Sequence, residues 1–127
     1  RLLMESETAR LAALNRSEGQ LRAFQDLLAQ EHQAGQGDAE AMAELDFAFH
    51  QLVALASGNL MYPLVINSFK PVYTNITRQF FAKHQDNGIL DEVLSFHQDL
   101  VAAIAERDGE TSARIMADML RHGVENL

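Results

Sequence analysis

Asp46, His50 and His97 are polar residues placed where apolar core stripes should run. Met42, Leu45, Phe49, Leu52, Val53 and Ala56 recur at helical spacing, and Asp46 and His50 fall inside that stripe, one turn apart. Residues four apart on a helix project from one face, so this carboxylate and this imidazole can reach a common point. His97 sits at the centre of a second stripe, with Val93 and Leu94 before it and Leu100, Val101 and Ile104 after. Burying such groups costs several kcal/mol unless they are paired, hydrogen-bonded or bound to a metal. Each group alone is satisfied by a carboxylate or a backbone carbonyl in many cores. Two inward imidazoles and one inward carboxylate from separate helices also suit zinc, nickel, manganese or iron.

His122 follows Ile115 and Met119 near the end of the last helical segment, where a partly exposed histidine and a further ligand are both open readings. His32 and His84 lie in polar, loop-adjacent sequence and are expected to be solvated. The segment after Pro71 carries Tyr73, Thr74, Asn75, Thr77 and Arg78 among apolar residues. Its stripe, Phe69, Val72, Ile76 and Phe80, is expected in the core, and spacing alone places Arg78 on the surface. No phosphate-binding glycine loop, G-x-S-x-G elbow or H-E-x-x-H motif occurs, so no enzymatic activity is expected.

These residues must be positioned by helices. Two prolines and no apolar–polar alternation argue for an all-α fold, and the short loops make neighbouring helices mostly antiparallel. The segments are residues 1–15, with Leu2, Leu3, Ala9 and Leu14 among the apolar positions, then a helix opened by the Ser17/Gln20 capping box and broken at Gly35-Gln36-Gly37. A third starts at the Asp38 cap, runs to about 57 and stops at Gly58. The others are about 60–69, with Pro63 in the first turn, Pro71 to about 82, 89–107 and 110–125. Pro71 either opens its helix or kinks a longer one.

At 127 residues and 47% apolar content, the chain is one globular domain, residues 1–127. It has no cysteine, which excludes disulfides and thiolate sites. No run approaches the ~20 apolar residues of a membrane span. Net charge is −8 and the ten Lys and Arg residues are scattered, so this piece alone is not expected to hold nucleic acid.

Asp46-x-x-x-His50 followed by Ala56-Ser57-Gly58-Asn59 resembles the signature of the FadR C-terminal (FCD) domain, an effector-binding domain of GntR-type transcriptional regulators. Arg1-Leu2-Leu3-Met4-Glu5 with Ala9-Arg10-Leu11 is similar to that domain's first helix, and His97 with Ala103-Ile104 to a later segment. The resemblance implies an antiparallel bundle of six to seven helices around a central ligand pocket, and a divalent metal there, zinc or nickel foremost, held by one Asp and three His. Asp46, His50 and His97 fall on three of those positions. Family spacing puts the fourth 22 residues after His97, at Met119, and His122 lies one turn further on. The resemblance also implies a small carboxylate effector, for which Arg78, Tyr73 and Asn75 are candidate contacts. It further implies a winged helix-turn-helix domain upstream that reads operator DNA, a cytoplasmic homodimer, and no membrane partner. Residues 62–81 are similar to the branch that binds fatty acyl-CoA without a metal, which sets a metal-free apolar pocket as the alternative.

Overall fold

A computed structural model describes residues 1–35 and 37–127. Among these, seven helices form the domain: α1 (Leu2–Asn15), α2 (Glu18–Ala34), α3 (Ala39–Ala56), α4 (Met61–Ser68), α5 (Lys70–Lys83), α6 (Ile89–Ala105) and α7 (Gly109–Glu125). The expected caps are in place. Ser17 Oγ accepts from the Gln20 amide at 3.0 Å, while Gln20 Oε1 accepts from the Ser17 amide at 2.9 Å. Asp38 Oδ1 accepts from the Ala41 amide at 3.0 Å. Each such cap is worth about 1 kcal/mol, because it satisfies a helix amide that has no partner within its own helix. Pro71 sits in the first turn of α5 and opens it, where its missing N–H costs nothing. Of the break after α2, Gln36 lies outside the described residues; Gly35 and Gly37 both have positive φ, which glycine adopts without strain.

The helix α3 is central: it packs against α1, α2, α4 and α5, while α6 packs against α7, α2 and α1. Phe24 (α2), Phe49 and Val53 (α3), Leu100 and Ile104 (α6) and Met116 (α7) form the main core, all fully buried. Phe24 meets Phe49 edge to face with centroids 5.6 Å apart.

Two helices leave large apolar side chains exposed. On α1 Leu2, Leu3 and Leu14 point outward, with Leu3 89% exposed, and the buried face is Glu5, Thr8, Ala9, Ala12 and Ala13. Small side chains there let α7 approach closely; a Cβ on Gly109 would stand 3.3 Å from the Arg10 carbonyl oxygen. On α5 the expected core stripe is corrected: Phe69, Val72 and Ile76 are exposed and only Phe80 is buried. The reason is that α5 packs chiefly on α3, so its far side is left uncovered. Together with Leu60, Met61 and Leu64, these residues give the α4–α5 side an exposed apolar surface.

Candidate metal centre

Asp46, His50 and His97 converge. Each is buried, and one ligand atom from each lies within 4.8 Å of the others. Asp46 Oδ1 stands 3.2 Å from His97 Nε2 and 3.8 Å from His50 Nε2. Metal–ligand bonds of about 2.0–2.2 Å place neighbouring tetrahedral donors roughly 3.4 Å apart, so this spacing suits one ion.

Two carboxylates not singled out in the sequence hold the imidazoles. Glu5, from α1, accepts from His50 Nδ1 at 2.6 Å. Glu31, from α2, accepts from His97 Nδ1 at 2.8 Å. A carboxylate can only accept, so each Nδ1 carries a proton and each Nε2 is turned toward Asp46. This is the arrangement in which outer carboxylates orient metal-binding histidines. His97 Nε2 is buried with no aligned hydrogen-bond partner. Phe49 stacks on the His97 ring, centroids 4.0 Å apart and nearly parallel, which fixes the ring plane. Glu31 was legible after all: Phe24, Leu27, Leu28 and Glu31 are spaced as one helix face. Glu5 had a weaker signal, since it precedes Ala9 and Ala12 on a face of small residues.

Other groups complete the surroundings. The Tyr73 hydroxyl donates to Asp46 Oδ2 at 3.1 Å, leaving Oδ1 for the point of convergence. Arg1 pairs with Glu5 at 2.5 Å, hydrogen-bonds the Tyr73 hydroxyl and lies over the Tyr73 ring at 4.1 Å. Burial alone would raise the Asp46 carboxyl, but His50 and His97 hold it well below the usual carboxylate range. Burial alone would lower His97, yet Asp46 and Glu31 push it up to about 9. Burial and the neighbouring Asp46 push the Tyr73 phenol well above its ordinary value.

A cavity of about 120 Å³ adjoins Asp46 and His50 and is lined also by Arg1, Phe80, Val93 and Met119. His122 lines it as well but does not join the three converging residues; its Nε2 contacts Glu92 Oε2 at 2.5 Å. Arg78 and Asn75 do not reach this cavity. Both are exposed, bond each other at 2.7 Å and border a separate groove beside Glu40 and Glu44. The surface position that spacing alone gave Arg78 therefore describes it, and Arg1 is the cation at the cavity. His84 corrects the expectation of solvation: it is buried, with Nε2 donating to the Asn126 carbonyl at 2.6 Å and Nδ1 accepting from Asn87 Nδ2 at 2.8 Å. His32 is exposed as expected.

Comparison with known proteins follows the same lines. The FCD domain profile matches residues 1–122. The chain is 35% identical over 75 residues to the fatty acid metabolism regulator protein of Shewanella oneidensis, covering 59% of this chain and 30% of that regulator. The protein of that name from Shewanella baltica (strain OS155) is 37% identical over the same length and shares. The match thus spans under a third of the length of these relatives. Among solved structures, Streptococcus agalactiae GntR superposes with a TM-score of 0.67 at 22% identity, over 99% of this chain and 54% of that one, a likeness of fold. With an all-helical bundle, the Asp46/His50 pair on its central helix and a profile match across nearly its whole length, the chain belongs to the FCD domain family.

Proposed function

We propose that this domain senses a small carboxylate through a divalent metal held by Asp46, His50 and His97, as the effector-binding part of a GntR-type transcriptional regulator. The FCD family is a domain of transcriptional regulators rather than of enzymes. The observation that carries the metal reading is the pair of buried carboxylates, Glu5 and Glu31, that lock both Nδ1 atoms and aim both Nε2 atoms at one carboxylate oxygen.

Three protein ligands leave open positions, with His122 engaged by Glu92. A bound metal would supply a Lewis-acidic point that coordinates an effector carboxylate. The chain's own groups would do the rest. Arg1 offers positive charge at the mouth of the cavity, and Tyr73 holds the buried Asp46 in place, where low polarity strengthens its interactions. Effector binding would bias the arrangement of DNA-binding domains by its differential affinity for two states. The upstream operator-binding domain, the homodimer and the cytoplasmic setting belong to this proposal. Among the described residues no helix is long and apolar enough to cross a membrane.

Metal analysis of untagged protein tests the reading. About one equivalent of zinc or nickel is expected, and Glu31→Gln should weaken metal affinity about 10–100-fold. Less than about a tenth of an equivalent, unchanged after zinc or nickel is added, overturns it.

A further inference from the structure

The cavity beside the triad is lined mostly by apolar side chains. Away from Asp46, His50 and Arg1 its walls are Ile76, Phe80, Phe81, Val93, Leu120 and Val124. Thr77 also lines it, but its hydroxyl is spent on the Tyr73 carbonyl at 2.8 Å. His122 Nε2 faces Glu92, and its Nδ1 is buried without a partner. Arg1 is the only lysine or arginine among the described residues of the lining, and it sits against Glu5 and Tyr73 at the triad end. A second anionic group held against these walls would meet no lysine or arginine among the described residues, and an unpaired charge there is costly. Methylene or aromatic carbon would meet matching walls. The volume sets the size: about 120 Å³ here, against the roughly 150 Å³ of an apolar cavity that takes up benzene, a molecule of about six carbons.

We propose that the ligand is a monocarboxylate with a compact, uncharged apolar tail, about six carbons in all, its tail enclosed by Phe80, Phe81, Val93 and Leu120. This rests on the metal-and-carboxylate reading above, and it names the chemical class that site selects. It separates this site from one for dicarboxylates or polyhydroxylated acids.

The test is calorimetric titration of the zinc-loaded chain with propionate, hexanoate and adipate, repeated after chelation. Each added methylene is worth about fourfold in affinity when buried, so hexanoate should bind about 50-fold tighter than propionate. Adipate, which carries a second carboxylate at the same chain length, should bind at least about 50-fold more weakly than hexanoate. Hexanoate within about threefold of propionate, or adipate equal to hexanoate, overturns the tail assignment while leaving the metal reading intact. A tail preference that persists unchanged after chelation supports this proposal and defeats the metal reading. Binding of none of the three defeats both. Val93→Thr keeps the side-chain shape and adds a hydroxyl to the wall. It should bring the hexanoate-to-propionate ratio below about ten with zinc content unchanged, and an unaltered ratio counts against the proposal. Should that variant lose its cooperative melting transition, Ile76→Thr on the half-exposed rim makes the same measurement.

Discussion

Raising the pH of the metal-free protein from 6.5 to about 9.5 will cost it about 3 kcal/mol of stability, and zinc will restore most of it. His97 carries the effect. Its ordinary value is 6.5 and the folded protein pushes it up to about 9, because Asp46 and Glu31 outweigh burial. A group whose pKa is raised by folding stabilises the native state fully below its unfolded value, and that contribution disappears as pH climbs through the folded one. Each unit is worth 1.36 kcal/mol, so a shift from 6.5 to about 9 corresponds to about 3 kcal/mol. Asp46 works in the opposite direction: its carboxyl is held low, so its contribution is present above about 4 and fades as pH falls. The metal-free domain should therefore be most stable between about pH 4 and 6.5. Chelated protein melted across that series should lose about 10 °C by pH 9.5. A midpoint that stays level or rises over that interval removes the charged His97 from the account. Metal coordination requires neutral imidazole, so loading with zinc should release a proton below pH 9 and flatten the profile. Titrations in two buffers of different ionisation enthalpy would count that proton.

Phe49→Ala should be the most damaging single substitution in the core, at about 3–5 kcal/mol in chemical unfolding. Phe49 is fully buried, meets Phe24 edge to face and stacks flat on His97. Removing the ring opens a void at the junction of α2, α3 and α6 and frees the His97 plane. Loss of stability should therefore be accompanied by loss of metal affinity, whereas Phe24→Leu, which leaves the His97 stack in place, should lower stability alone. If Phe49→Ala binds zinc as tightly as the parent protein, the stack has no part in holding the imidazole.

Much of the site was legible because polar residues inside a periodic apolar stripe are conspicuous. Asp46 and His50 share α3, and His97 sits mid-stripe on α6, so helical spacing alone turned all three inward. The caps at Ser17 and Asp38 were readable for the same local reason. What spacing could not give was which helix faces which. Glu31 continues the Phe24–Leu27–Leu28 face, yet only its meeting with His97, 66 residues away, assigns it a purpose. Arg1 and Arg78 are both single cations near apolar sequence, and only the packing of α1 and α5 decides which one borders the cavity. The α5 stripe misled because an exposed apolar face and a buried one have the same periodicity. His84 misled in the opposite sense, since a polar neighbourhood in sequence is closed over by the last residues of the chain.

The first helix turns the customary ranking of side chains upside down. Its alanines at 9, 12 and 13 admit no solvent, while Leu2, Leu3 and Leu14 face water. In a library covering every substitution in this segment, the leucines should drift freely toward polar residues. The alanines should refuse anything bulkier, since each added carbon would wedge the last helix away from its seat and open a seam along the molecule.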